Sequence, residues 1–294
     1  MSRNNADRLG LGDDNTPTGG ADAPIDNVTT PSDHGGSGLA FSVPTQHVEL
    51  PSGGRFYPEG HPLHQQETVE IKYMTAKEED ILTSPSLLKK GLTIDRLLRS
   101  LILDKSINPQ SLLTGDRNAI VIASRITGYG EDYQAKITCP SCFESNDWSV
   151  DLNELAVSHG GVENKEGFDV SENDDGTFSI VLPRSGVTTG VKFLTGKDES
   201  DMSKTREKRK KRKLGENFLT EQLKIMIVSV NGSTQYTDIE SFVDFVPAFD
   251  SKYLRKAYAK IMPNVDMNHD FTCENCDYDG ILEVPLTAEF FWPK

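Results

Sequence analysis

Apolar and polar side chains first alternate regularly at Val69-Glu70-Ile71-Lys72-Tyr73, where a period of two predicts a strand. Before it, VELPSGGRFYPEGHPL (Val48 to Leu63) reads as an extended segment with a Gly-Gly turn, because Pro51, Pro58 and Pro62 exclude a helix. After it the period lengthens. Thr75 and Glu78 stand in capping-box spacing and open a helix at TAKEED. Ser86 to Lys90 forms a second, short helix closed by Gly91, and Ile94, Leu97, Leu98, Leu101 and Ile102 make the i, i+3, i+4 stripe of a third over Thr93 to Leu103. NAIVIASRI carries a further helix from Asp116 to Thr127, stopped by Gly128-Tyr129-Gly130.

The pattern then returns to strands at DYQAKITC and again at VDLNELAVSHGG, which runs into a short turn. Gly176 to Glu199 predicts two strands joined by a turn bearing proline and glycine. DESDMSKTREKRKKRKL (Asp198 to Leu214) is a helix or a charged linker. NFLTEQLKIMIVSVNG is helical at its start and ends at Asn231-Gly232. DIESFVDFV and DSKYLRKAYAKIM are two more helices, each opened by an aspartate as N-cap (Asp238, Asp250) and each followed by a proline, Pro247 and Pro263. The expected class is α+β: a helical N-terminal part, then mixed hairpins and helices.

Two short stretches of this pattern repeat. ITCPSCFESNDWSVDL (Ile137 to Leu152) and FTCENCDYDGILEVPL (Phe271 to Leu286) align at a constant offset of 134, the distance from Cys139 to Cys273. Ile137 matches Phe271, Thr138 matches Thr272, both cysteines match, and Val150 and Leu152 match Val284 and Leu286. Each copy reads as strand, Cys-x-x-Cys knuckle, return strand. Two facing knuckles complete a four-thiolate tetrahedron with Zn–S bonds of about 2.3 Å, so Cys139, Cys142, Cys273 and Cys276 are the candidate ligands of one structural zinc. They are the only four cysteines in the chain. From Cys142 to Cys273 there are 130 intervening residues, where zinc ribbons usually have about 15 to 20. The matched flanks restore what the spacing weakens, because closure entropy grows only slowly with loop length. A thioredoxin-like dithiol would place its pair at a helix N-terminus, whereas both pairs here are flanked by strands. His269, near the second pair, is expected to be an exposed polar residue, and His61 and His64 are too weak a pair for a metal site.

Composition bounds the remaining readings. Residues 1–40 are rich in Gly, Asp, Asn, Thr, Pro and Ser and are expected to be a flexible tail. No run approaches the ~20 apolar residues of a membrane span. The N-terminus lacks the apolar stretch of a secretory signal, so a soluble chain in a reducing cytoplasm is expected, where cysteine pairs favour metal over disulfide. A net charge of −14 disfavours nucleic acid, since phosphate repels an acidic surface. The exception is the basic run KTREKRKKRK (Lys204 to Lys213), a solvated helix face, a patch for an acidic protein, or a nucleic-acid patch in an alternative zinc-ribbon nucleic-acid-binding protein. No aromatics interleave it for base stacking. There is no Walker loop, nucleophile elbow or His-Glu-x-x-His, so no enzyme is expected. Phe290, Phe291 and Trp292 at the C-terminus pack on the core or anchor a neighbouring subunit.

The blocks YMTAKEEDILTSPSLLKKG (Tyr73 to Gly91) and RITGYGEDYQAKITCPSC (Arg125 to Cys142), with FLTGKDE, SVNG, LRKAYAKIMPNVDM and the EFFWP ending, resemble the baseplate hub subunit family of T-even-type contractile-tailed phages and their cyanophage relatives. The resemblance runs from about Phe41 to Lys294. It implies a structural or hub-assembly protein that contacts other hub or tail proteins, in the host cytoplasm during assembly and in the virion tail if it is retained there. No catalytic residue carries over, and by position the cysteine set does. The expected organisation is a tail (1–40), an extended and helical region (41–135), a first knuckle arm (136–158), an inserted hairpin and helices (159–265), and a second arm with the aromatic end (266–294).

Overall fold

β1 (Thr45–Glu49) and β2 (Thr68–Lys72) pair antiparallel with Val48 opposite Val69, burying Val48, Val69 and Ile71 on one face. The computed structural model describes residues 42–212, 217–284, 286 and 288–291. The expected tail, Lys213 of the basic run and Trp292 lie outside the described residues.

The helical part follows the sequence pattern closely. α1 (Ala76–Thr83) opens on the Thr75–Glu78 capping box, and the buried Glu78 carboxylate also accepts from Lys72 Nζ at 2.7 Å, tying the helix to β2. α2 (Pro85–Lys90) ends at Gly91, and α3 (Thr93–Leu101) buries Leu97, Leu98 and Leu101. α4 (Thr114–Tyr129) extends two residues beyond the expected helix at each end and is buried on several faces, as a helix through the core must be. Gly115 lets it approach the chain near Pro263, where a Cβ would lie 1.9 Å from the Pro263 carbonyl oxygen. Tyr129, the last residue of α4, packs its ring against Phe291 at 6.3 Å and under the Arg125 guanidinium at 5.6 Å.

β3 (Asp132–Thr138) and β4 (Ser145–Asp151) form the first antiparallel arm. β5 (Val157–Ser158) follows, and β6 (Val170–Glu172), β7 (Phe178–Val181) and β8 (Thr188–Val191) begin a four-stranded antiparallel sheet. α5 (Gly196–Lys211) and α6 (Phe218–Met226) come before β9 (Ile227–Val230), which completes the sheet in the order β6-β7-β8-β9. The pattern had suggested only β7 and β8. β6 has three residues, too short for a period of two to register, and β9 continues the apolar run of α6 without a break. The basic run, read as a helix or a linker, is helical in α5 as far as Lys211.

α7 (Tyr236–Phe245) and α8 (Ala248–Ile261) correct the N-cap expectation: their caps are Gln235 and Pro247, and Asp238 and Asp250 lie inside the first turn. Asp250 is buried and accepts instead from the Arg184 and Ser185 amides of the β7–β8 turn, at 3.1 and 2.8 Å. β10 (Asn264–Val265) pairs with β5, so the two ends of the segment between the arms meet. β11 (Asn268–Thr272) and β12 (Asp279–Glu283) form the second arm. A 3-10 turn over Ala288–Phe291 buries Phe290 against Tyr133 at 5.2 Å, so these aromatics serve the chain's own core. Phe56, Phe178, Phe193 and Tyr258 join the four-stranded sheet to α8, with the Phe178 and Phe193 rings 4.8 Å apart. The class is α+β. Among the described residues, no helix is long and apolar enough to cross a membrane.

Candidate metal centre

Each arm ends its first strand at a cysteine and turns immediately. In the first, the Cys139 amide donates to Glu144 O at 2.9 Å, and the Ser141 amide points at Cys139 Sγ at 3.4 Å. In the second, the Cys273 amide donates to Tyr278 O at 2.9 Å, and the Asn275 amide points at Cys273 Sγ at 3.4 Å. The registers agree as well: Ile137 stands opposite Asn146 and Thr138 opposite Ser145, as Phe271 stands opposite Gly280 and Thr272 opposite Asp279. Every one of these partners is related by the offset of 134. The repeat is therefore one of backbone hydrogen bonding as well as of residue type.

The two knuckles face each other. All four sulfurs lie within 4.8 Å of one another, with Cys139 Sγ 3.9 Å from Cys276 Sγ and Cys142 Sγ 3.7 Å from Cys273 Sγ. A tetrahedron with Zn–S bonds of about 2.3 Å has sulfur–sulfur edges of about 3.8 Å, whereas a disulfide needs about 2.05 Å. The four cysteines are free, so the group has the chemistry and the size for a metal ion. Cys139 and Cys273 are buried, and Cys142 and Cys276 are half-buried. As thiols, Cys273 and Cys142 are shifted in opposite directions. Burial acts to raise Cys273, but the Asn275 and Cys276 amides and the neighbouring thiols outweigh it and bring it down to about 6. At Cys142 the pull of the Glu144 amide is overcome by burial and by the other three thiols, and it is pushed up to about 12.

Two side chains that sequence reasoning had not singled out hold the arms together. Asn146 Oδ1 accepts the Glu274 amide at 2.9 Å, and Trp148 Nε1 donates to Asp270 O at 3.2 Å. His269 is half-buried rather than exposed, its ring edge-on to Trp148 at 6.3 Å, and it is not one of the clustered ligands. His61 and His64 lie elsewhere, in the segment between β1 and β2. His61 Nδ1 accepts the Leu63 amide, which leaves the Nε2 proton for Ser111 Oγ at 2.8 Å, and its ring stacks on Tyr57 at 4.4 Å.

Directly after Cys142, Phe143 takes a left-handed backbone (φ +63°) while its ring is 77 % exposed. A non-glycine residue there costs on the order of 1–3 kcal/mol, and glycine in place of it adds back roughly 0.5–1 kcal/mol of unfolded-chain entropy. Phe143→Gly is therefore expected to raise the thermal midpoint slightly. Phe143→Val, β-branched in the same conformation, is expected to lower it, and melting curves of the two variants check the order.

No curated protein and no solved structure matches the chain. The family model described as T4 bacteriophage base plate protein matches residues 43–292, a span that takes in both knuckles and everything between them. With that match over most of its length, the chain belongs to the T4 bacteriophage base plate protein family.

Proposed function

We propose that this base plate protein is a structural or assembly subunit of the central hub, acting through contacts with other hub and tail proteins, and that Cys139, Cys142, Cys273 and Cys276 hold one structural zinc. The observation that carries the reading is the four-sulfur cluster, assembled from two matching knuckles that both lie within the family match. Four thiolates fill the coordination of zinc and leave no position for water, which suits a clasp and not a catalyst. The metal joins β3–β4 to β11–β12 and so fixes the start of the intervening segment to its end. Assembly in the host cytoplasm followed by a place in the virion tail fits such a part.

The basic run is exposed at Lys208, Lys210, Lys211 and Arg212, on a helix whose first turn carries Asp198 and Glu199. Basic residues at a helix C-terminus and acidic ones at its N-terminus both complement the helix dipole, so the run has a role within its own helix. Affinity capture of the tagged chain from infected cells, compared with the protein inventory of mature virions, tests the function. Hub components are expected to co-purify, and the pure chain is expected to ignore DNA at physiological salt. Salt-sensitive DNA binding that is lost on neutralising Lys208, Lys210, Lys211 and Arg212, with no baseplate partner captured, would sink the hub reading.

A further inference from the structure

Two of the matched positions at which the knuckles differ belong together. Asn146 stands opposite Ile137 in the first arm, and Gly280 stands opposite Phe271 in the second, so the offset of 134 makes Asn146 and Gly280 equivalent. The same offset makes Pro140 and Glu274, the residues that follow the first cysteine of each pair, equivalent. Asn146 is only 3 % exposed, and it reaches across the centre. Its Oδ1 accepts the Glu274 amide at 2.9 Å and lies 3.4 Å from Cys273 Sγ, while its Nδ2 donates to Glu144 O at 3.0 Å and fixes which way the amide group points.

In the opposite direction both halves of this contact are missing together. Pro140 has no N–H to satisfy, and Gly280 has no side chain to satisfy one. The Tyr278 ring fills the space a side chain at 280 would take, its hydroxyl oxygen 2.5 Å from where a Cβ would lie. Donor and acceptor thus occur as a pair on one side and are absent as a pair on the other. A turn amide facing buried surface needs an acceptor unless proline removes the donor.

We propose that Asn146 is the positioning residue of the second knuckle: through the Glu274 amide it holds the Cys273–Cys276 turn, and with it Cys273 Sγ, in place for a metal shared with the first arm. The inference rests on the metal reading above. It adds that the second knuckle depends on a side chain of the first arm, whereas proline frees the first knuckle from any such dependence.

The test uses full-length wild type, Asn146→Ala, Glu274→Pro and the double variant Asn146→Ala/Glu274→Pro, each loaded with zinc. The rate of zinc transfer to a chelating dye is measured, with the thiolate-to-metal band of the cobalt-substituted protein and thermal melting alongside. Asn146→Ala is expected to release zinc about tenfold faster, the loss of one partly buried hydrogen bond, while keeping a four-thiolate cobalt band. Adding Glu274→Pro removes the orphaned donor and is expected to return the rate to within about threefold of wild type. A purely structural loss would not be repaired by proline. Unchanged zinc release in Asn146→Ala, or a double variant no slower than the single one, overturns the proposal. Should Asn146→Ala fail to fold, the double variant decides: folded and zinc-loaded supports the proposal, and unfolded overturns it. A wild-type chain that takes up neither zinc nor cobalt overturns the metal reading and this proposal with it, whereas a metal-binding wild type with insensitive variants overturns the positioning role alone.

Discussion

Cys273→Ser is expected to strip the metal from the protein and to free the second arm, with a loss as large as that from Cys139→Ser. The arms are two-stranded ladders, and an isolated ladder of this size is marginal in water. Without metal the described residues of the two arms are joined by little more than the contacts of Asn146 with the second knuckle, the Trp148–Asp270 hydrogen bond, the Trp148–His269 ring contact and the sulfur cluster itself. Structural zinc contributes on the order of 10 kcal/mol in small metal modules, and that free energy is folding free energy. Losing one of four ligands therefore costs several kcal/mol at the junction, an effect on the order of a typical whole-domain stability. The loss should be local at first. Phe290 and Phe291 remain buried beside Tyr133 and Tyr129 and keep the C-terminal turn attached. Metal content after desalting, combined with limited proteolysis, reads the outcome: cleavage within 266–284 in both cysteine variants and none in wild type. His269→Ala, which removes no clustered ligand, is expected to leave the metal content unchanged.

The second large effect lies far from the cysteines. Asp116, in the first turn of α4, is fully buried and accepts the Ser52 amide at 2.9 Å, the Ser52 hydroxyl at 2.6 Å and the Tyr57 hydroxyl at 2.7 Å. The Tyr57 oxygen in turn accepts the Leu113 amide at 3.1 Å. One carboxylate thus ties the extended segment between β1 and β2 to the start of the core helix. Asp116→Ala orphans three buried donors and is expected to cost about 3 kcal/mol, which for a domain of this size lowers the thermal midpoint by roughly 10 °C. Tyr57→Phe removes a single partner and is expected to cost about 1 kcal/mol.

The pH dependence has a definite sign. Burial pushes the Asp116 carboxyl above its ordinary value of 3.8, and the hydrogen bonds from Ser52 and Tyr57 only partly pull it back. A group raised in the folded state contributes stability below its unfolded value and loses that contribution as pH climbs through the folded one. The gap between wild type and Asp116→Ala should therefore be widest at acid pH and narrow as pH rises past the folded value. Denaturant midpoints of both proteins across pH 4 to 7 read it, and a gap that widens with rising pH would contradict the sign.

How much of this was legible in the sequence depended on whether the cause was local. The α1 capping box, the α3 stripe and β3 follow from short-range chemistry and stand where the pattern placed them, whereas β4 (Ser145–Asp151) precedes the strand read at VDLNELAVSHGG and shares only Val150 and Asp151 with it. The cysteine cluster was legible because the repeat carried it: a constant offset of 134 says that two distant pieces share one geometry. Asn146 was not legible on its own, since its role depends on a residue 128 positions away and shows only when Pro140 and Gly280 are compared with it. Asp250 misled, because aspartate near a helix start usually caps that helix, and here its carboxylate is taken by a turn from another hairpin. Of the outer strands of the four-stranded sheet, β6 was too short for alternation to reveal it, and β9 was hidden because it continues the apolar run of α6.

The most direct test of the split zinc ribbon is native mass spectrometry of freshly purified full-length protein, followed by alkylation of its thiols before and after chelation. One zinc per chain is expected, with all four cysteines protected until the metal is removed and all four released together. A metal-free chain whose four thiols react from the outset would contradict it.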